Sequence, residues 1–149
     1  MIKAFAAFEP KGELRPYEYD PGPLMPNEVE LDVEYCGICH SDLSVIDNEW
    51  GMTQYPVVPG HEVVGTVAKI GDDVKHLAIG QTVGLGWHAG YCDECAPCHS
   101  GDNNLCATAQ PTIIGHHGGF ADKVRAAANS VVVIPEGIDQ IGRASCGGR

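Results

Sequence analysis

The sequence contains four closely spaced cysteines, separated by two, two and seven residues: Cys92, Cys95, Cys98 and Cys106. This spacing is typical of a structural zinc site, in which four thiolates close a tetrahedron around one ion. The residues between them are polar turn formers, with too few apolar groups to form a core of their own. Disulfides or separately buried thiols are the alternatives. The spacing therefore predicts a loop over residues 92–106 that folds around one structural Zn²⁺.

Length and charge limit the class of protein. The 149 residues fit one domain, and 9 Lys plus Arg against 20 Asp plus Glu give a formal net charge of −11. Such a surface repels phosphate backbones and anionic lipids, so we expect no nucleic-acid or membrane partner. No apolar run is long enough for a membrane span, and the first ten residues do not form a signal sequence. Seven cysteines without a signal favour a reducing compartment, and we expect a cytoplasmic protein.

The remainder of the chain indicates a mainly β fold. Over residues 28–35, valine, leucine and tyrosine alternate with four acidic residues, which predicts a half-buried strand with its charges directed outward. Further strands are expected at 2–8, 14–19, 63–70, 81–87, 121–127 and 131–134, and one short helix at 41–50. Many short strands separated by Gly and Pro favour a closed or partly open antiparallel barrel. No strand–GxGxxG–helix unit for a dinucleotide occurs in these 149 residues.

A second group of metal-binding residue types lies before the four-cysteine loop. Cys39 is followed by His40, Ser41 and Asp42, and His61 stands beside Glu62. Catalytic zinc keeps three protein ligands and one open position, and Cys39 and His61 supply two of the three. We expect Glu62 to bind the metal transiently or to lie behind it, and Asp42 to accept the second ring N–H of His61. Taken separately, a lone Cys in such a turn is more typical of buried packing, and a lone Gly-His-Glu is more typical of a polar turn. Cys36 with Cys39 also fits a redox dithiol.

Together these motifs resemble the zinc-dependent alcohol dehydrogenases of the medium-chain dehydrogenase/reductase superfamily. The similarity lies in CGICHSD at 36–42, GHEVVG at 60–65 and the four-cysteine loop, in that order. The wording YPVVPGHEVVG at 55–65 is closer to the cinnamyl-alcohol/aldehyde reductase group. The resemblance covers residues 1–139 and implies a GroES-like, partly open β-barrel with short helices and a four-cysteine zinc loop. Residues 1–139 are thus expected to be the catalytic domain of such an enzyme.

The resemblance also implies roles at the matching positions. The resemblance assigns Cys39 and His61 as ligands of the catalytic zinc, Glu62 as a carboxylate that can bind it, and Asp42 as the partner of His61. It also makes the Ser41 hydroxyl the start of a proton relay from the substrate. His40 matches a residue that contacts the cofactor pyrophosphate, and Trp50 matches a wall of the substrate pocket. A plain core aromatic is the alternative for Trp50. Asp47 stands where some family members carry a relay histidine, so the relay route remains open between Asp47, the ribose hydroxyl with water, and another group.

The implied reaction is hydride transfer between a small alcohol or aldehyde and NAD(P)(H), with one catalytic and one structural Zn²⁺. Family members continue into a dinucleotide-binding domain, which this sequence lacks, so we expect it to be inactive alone. Residues 140–149 are expected to be a truncated or non-native tail, although Cys146 fits the context of the third catalytic-zinc ligand. His116 and His117 are metal candidates or loop histidines. A homo-oligomer of the full-length enzyme is one option.

Two other classes of protein compete with this hypothesis. A non-enzymatic, zinc-stapled barrel that serves as an interaction or assembly module would need only the four-cysteine loop. A zinc-free quinone reductase of the same superfamily would need neither cysteine cluster. The second group, which combines Cys39, His61 and Glu62 with Ser41 and Asp42, argues against both.

Overall fold

The computed structural model describes residues 1–138, so Cys146 and the predicted tail at 140–149 lie outside the described residues. The fold is mainly β, as the sequence predicts. Its strands are β1 Ile2–Ala6, β2 Arg15–Tyr19, β3 Glu28–Cys36, β4 Val63–Ile70, β5 Thr82–Leu85, β6 His88–Gly90, β7 Gln110–Pro111, β8 Lys123–Ala127 and β9 Val131–Val133. The helices are α1 His40–Ile46 and α2 Ala96–Ser100, with 3₁₀ helices at Asn103–Leu105 and Ala128–Ser130.

Five strands form the main antiparallel sheet, in the order β8-β3-β4-β5-β9. The β1–β2 hairpin pairs Ile2 with Tyr19. Phe5 N–H donates to Phe120 O at 2.8 Å, which joins this hairpin to the segment before β8. β6 and β7 pair separately and form the base of the four-cysteine loop. The result is a curled, partly open barrel, which confirms the predicted fold class.

The main core lies inside the five-stranded sheet. Alternate residues of β3, β4, β5 and β8 point inward, as expected for strands with one buried face. The fully buried members are valine or leucine, which pack well on a pleated surface: Val29, Leu31, Val67, Val83 and Val124. A second cluster packs under α1 and contains Ala7, Val45, Val57 and Ile113. The segments that are predicted to bind metal therefore extend from a well-packed β scaffold.

Strand β3 departs from the predicted outward direction of its charges. Glu30 is only 2% exposed, although it lies on the acidic face. Its neighbours across the sheet are Lys69 on β4 and Arg125 on β8. Lys69 Nζ lies 2.8 Å from Oε1, and Arg125 Nε and Nη2 lie 2.9 Å from Oε2. The two cations neutralise and cover the carboxylate, so the expectation of a solvated Glu30 was wrong.

The predicted helix at 41–50 is shorter than expected, because α1 ends at Ile46. Asp47 N–H still donates to Leu43 O at 2.8 Å, but Asn48 takes a positive φ of 55°. Asn tolerates this left-handed conformation, and its Oδ1 accepts from Thr53 N at 3.0 Å to fix the turn. Trp50 therefore lies in the loop after α1. Within residues 1–138, no helix has the length and apolar character needed to cross a membrane.

Candidate metal centres

The four cysteine sulfurs of residues 92–106 converge on one point. All four lie within 4.8 Å of one another. Cys95 and Cys98 are separated by 3.4 Å, Cys92 and Cys106 by 3.6 Å, and Cys92 and Cys98 by 3.9 Å. A disulfide would require about 2.05 Å, whereas Zn–S bonds of about 2.3 Å in a tetrahedron place the sulfurs about 3.8 Å apart. The donor set and its spacing fit zinc and exclude a disulfide among these free thiols.

Local backbone conformation produces this convergence. Asp93 has a positive φ of 59°, which turns the chain sharply between Cys92 and Cys95. Cys95 is then the N-cap of α2, and the helix ends at Gly101 in the left-handed conformation at φ 83°. The turn aims the N–H groups of Glu94 and Cys95 at the Cys92 sulfur, and these donors lower its pKa.

The electrostatics of the cluster also favour a cation. The pKa of Cys106 falls to about 6, chiefly because the Cys92 backbone N–H and the Thr108 side chain donate to its sulfur. The pKa of Cys98 rises to about 12, first because of burial and then because of the neighbouring thiols. Four thiolates cannot ionise together at this distance without a compensating charge. A divalent ion would supply that charge.

A second set of ligand atoms comes from Cys39, Asp42 and His61, whose donor atoms all lie within 4.8 Å of one another. Cys39 is the N-cap of α1, and its Sγ accepts from Ser41 N at 3.4 Å. The donation from Ser41 lowers the pKa of Cys39, with a smaller contribution from His61. A cysteine binds a metal as the thiolate, so a lowered pKa favours the form of Cys39 that can bind a cation.

The carboxylate of Asp42 joins the two chain segments of this cluster. It is almost fully buried and accepts three hydrogen bonds: from Cys39 N at 2.9 Å, Gly60 N at 2.8 Å and His61 Nδ1 at 3.0 Å. Burial alone would raise the pKa of Asp42, but these donors, His61 first, lower it overall. Burial likewise acts to lower the pKa of His61, and Asp42 raises it overall. An ionised Asp42 fixes the proton on Nδ1 and leaves Nε2 as the donor atom for a metal.

The other predicted site residues differ in their exposure. Ser41 is half-buried in the first turn of α1, whereas His40 beside it is exposed. Glu62 is half-buried next to His61, but its carboxylate lies outside the set of atoms within 4.8 Å. Trp50 is 44% exposed, which argues against the alternative of a core aromatic.

Sequence reasoning missed Trp87, which follows β5. Its ring packs edge-on against His61, with centroids 5.0 Å apart, and edge-on against Trp50 at 6.0 Å. Trp87 and Trp50 therefore form an aromatic wall that begins at His61 of the Cys39–Asp42–His61 cluster. No spacing rule connects Trp87 to His61, because their contact is set by the packing of β5 beside β4.

Two alternatives from the sequence receive no support from the geometry. Burial raises the pKa of the Cys36 thiol to about 12, so it is a poor partner for a redox dithiol. The ligand clusters found among residues 1–138 do not include His116 or His117. His116 Nδ1 donates to Thr112 O at 3.0 Å, and the His117 ring packs on Tyr19 at 4.4 Å, as expected for loop histidines.

Comparison with known proteins identifies the family of this fold. The alcohol dehydrogenase GroES-like domain family matches residues 25–136. The aldehyde reductase AdhA of Synechocystis sp. is 62% identical over 150 residues, which cover 99% of this chain and 45% of that protein. The structure of a cinnamyl alcohol dehydrogenase from Sorghum bicolor has 37% identity and a TM-score of 0.90, covering 96% of this chain and 43% of that one. A CAD from Helicobacter pylori, solved with NADP(H), has 28% identity and a TM-score of 0.89, covering 96% and 44%. The chain thus spans less than half the length of these relatives.

Proposed function

The chain belongs to the alcohol dehydrogenase GroES-like family of the medium-chain dehydrogenase/reductase superfamily, as the motifs at 36–42 and 60–65 indicate. From this premise we propose that it forms the catalytic barrel of a zinc-dependent enzyme that interconverts a small alcohol and an aldehyde with NAD(P)(H). Residues 1–139 are proposed as this domain, and the cofactor-binding unit would lie elsewhere in the active enzyme. The 149 residues alone would bind zinc without turning over alcohol.

The proposal depends most on the second centre, where residues 1–138 bring together fewer than the four ligands of a closed site in addition to the hydrogen-bonded Asp42. Cys39 Sγ and His61 Nε2 would hold the metal, with Cys146 as a candidate third thiolate and Glu62 as a carboxylate able to approach. A purely structural site is closed by four protein ligands, as in the loop at 92–106, whereas a catalytic site keeps a position open. Zinc bound in the open site would act as a Lewis acid on the oxygen of the alcohol or aldehyde.

The surrounding residues would orient and desolvate the reacting group. Asp42 accepts hydrogen bonds from three N–H groups and so would hold the Cys39 and His61 segments together without a metal. The Ser41 hydroxyl is proposed to accept the proton of the alcohol and to pass its own proton on, either to Asp47, to the cofactor ribose hydroxyl and water, or to another group. The hydrogen bond from Ser41 N–H to Cys39 Sγ supports this role because it holds Ser41 beside the proposed ligand. Trp50 and Trp87 would form the apolar wall that excludes water and favours a flat, apolar substrate.

The cofactor and the setting of the enzyme are parts of the same proposal. His40 is exposed at the start of α1, where it is proposed to contact the cofactor pyrophosphate. The neighbouring structure from H. pylori contains NADP(H), which supports a nicotinamide cofactor here. The free thiols among residues 1–138 support a reducing, cytoplasmic location, and the net charge of −11 argues against nucleic acid or anionic membrane as a partner.

The test uses the 149-residue chain and a longer form that includes the cofactor-binding unit. We expect the longer form to reduce NAD⁺ or NADP⁺ when given alcohols from an aromatic and aliphatic panel, and Cys39→Ala or His61→Ala to abolish this activity. Asp72→Asn, an exposed change in the turn after β4 that leaves the ligands and the candidate relay groups intact, is the control. A zinc-loaded longer form that reduces neither cofactor with any alcohol, and oxidises neither reduced cofactor with the matching aldehydes, would contradict the proposal. The result would favour the non-enzymatic barrel.

A further inference from the structure

The four-cysteine loop is connected to the barrel by one side chain that the sequence motifs do not include. We propose that Asn129, through the carboxylate of Asp93, is a positioning residue that fixes this loop and slows the loss of its metal. The inference rests on the zinc site proposed for the loop. It adds to that proposal a residue distant in sequence from all four cysteines.

The barrel side of this connection is held by several hydrogen bonds. Asn129 lies in the 3₁₀ helix Ala128–Ser130, between β8 and β9. Ala128 N–H donates to Asn27 O at 2.9 Å, and Ala128 O accepts from His76 Nε2 at 3.1 Å. Ser130 Oγ donates to Ala127 O at 2.8 Å. The residues before and after Asn129 are thus fixed to the barrel, and its side chain starts from a well-defined position.

The Asn129 amide reaches the loop through two contacts. Nδ2 donates to Asp93 Oδ2 at 2.6 Å and to Tyr91 O at 3.3 Å. Both partners are acceptors only, so the amide must present its N–H₂ group to them. The cost of this orientation is visible, because Asn129 Oδ1 is buried and has no hydrogen-bond partner within residues 1–138. The hydrogen bonds described for this side chain are therefore both made by Nδ2, to Asp93 and to Tyr91.

The loop side depends on this contact. Asp93 is the residue with φ 59° that turns the chain between Cys92 and Cys95. In the described part of the chain, the other hydrogen bonds of residues 92–106 join residues of the loop to one another, to Thr108 or to Ala109. Asp93 therefore combines the sharp turn of the loop with its hydrogen bond to the barrel.

Substitutions at Asp93 separate these two roles. Gly accepts a positive φ more easily than Asp but has no side chain, so Asp93→Gly relieves the backbone and removes the hydrogen bond. Asn also tolerates this conformation, and its Oδ1 can still accept from Asn129, so Asp93→Asn preserves both roles. If only the backbone mattered, Asp93→Gly would retain zinc at least as well as the parent protein.

The experiment measures zinc release to a colorimetric chelator from the full chain carrying Cys39→Ala, so that only the four-cysteine site contributes. Loss of a hydrogen bond to a charged group should speed release about tenfold in Asn129→Ala and in Asp93→Gly, equivalent to about 1.4 kcal/mol. The double variant should release zinc no faster than Asn129→Ala alone, because Asn129→Ala already removes the contact that Asp93→Gly removes. Asp93→Asn should stay within about threefold of the parent rate. Asn104→Ala, an exposed change in the same loop, is the control.

Two further measurements distinguish the loss of the Asn129–Asp93 contact from a general destabilisation of the protein. The thiolate absorption of the Co²⁺-loaded protein should be the same in all variants, because the ligands are unchanged. Asp93 is exposed, so Asp93→Gly should also leave the urea midpoint of the barrel unchanged. Zinc release from Asp93→Gly at the parent rate, or an additive increase of about hundredfold in the double variant, would contradict the positioning role of Asn129. Neither result would contradict the zinc site itself. A parent protein without zinc would overturn both.

Discussion

Asp42→Asn removes one charge and changes one atom at the centre of the proposed catalytic site. Asp42 Oδ1 accepts from Gly60 N and His61 Nδ1, while Oδ2 accepts from Cys39 N. The amide loses least when its oxygen replaces Oδ1, since this keeps two of the three hydrogen bonds. Its Nδ2 then faces the Cys39 N–H, two donors with no acceptor between them, and the capping box of α1 is broken.

The magnitude follows from that count. One charge-assisted hydrogen bond and the cap are lost in a buried site, so the free energy of unfolding should fall by about 2–3 kcal/mol. His61 keeps its tautomer but loses the nearby negative charge, so zinc affinity at this centre should fall about tenfold or more. Urea unfolding followed by tryptophan fluorescence measures the first quantity, and chelator competition measures the second.

Asp47→Asn is the matched control, because it removes the same charge close to α1 without touching the donors of Asp42. It should change the unfolding free energy by less than about 0.5 kcal/mol. If Asp42→Asn were equally mild, or if the two variants lost the same stability and zinc affinity, the argument that Asp42 organises the site would be wrong.

Three further outcomes are expected. Glu30→Gln should lower the free energy of unfolding by about 2–3 kcal/mol at pH 7, mostly through the loss of the Arg125 pair, because Lys69 is 61% exposed. Burial acts to raise the pKa of Glu30, but Lys69 and Arg125 lower it overall, so the stabilisation by Glu30 is lost as the pH falls through that lowered pKa. The difference in urea stability between the two proteins should therefore narrow below about pH 4, and a constant difference would contradict the pairing. Gly60→Ala should lower the free energy of unfolding by more than about 3 kcal/mol, because at φ 98° the added Cβ would lie 2.6 Å from Phe120 Cδ1 and 2.8 Å from Cys36 Sγ. Gly80→Ala, at φ 84° with nothing within 4 Å of the added Cβ, is the control and should be much milder in thermal unfolding. Equal losses of stability in the two variants would refute the packing argument. Cys36→Ala should leave the zinc content of the protein unchanged by elemental analysis while Cys39→Ala lowers it by about one ion per chain, and equal losses would show Cys36 to be a ligand.

The parts of the site that follow local rules were accessible from the sequence. The cysteines at 92–106 lie within one short loop, so their spacing alone predicts that their sulfurs meet. The pairing of Asp42 with His61 spans nineteen residues, and it was expected from metal-site chemistry and from the resemblance of the motifs. The alternation in β3 predicted its buried valine and leucine correctly.

The parts that depend on tertiary packing were not accessible in the same way. Glu30 is buried because Lys69 and Arg125 come from strands distant in sequence and happen to flank it. Trp87 reaches His61 because β5 packs beside β4, and Asn129 reaches Asp93 because the 3₁₀ helix after β8 lies against the loop. The periodicity of a single sequence does not indicate such long-range contacts, so each of these contacts became known only from the three-dimensional structure.

The central claim is that this barrel holds one closed and one open metal centre. Anomalous diffraction at the zinc absorption edge, from crystals of the zinc-loaded protein, tests it directly. We predict one peak enclosed by Cys92, Cys95, Cys98 and Cys106, and a second between Cys39 Sγ and His61 Nε2. A single peak at the four-cysteine loop, in fully zinc-loaded crystals, would contradict the claim.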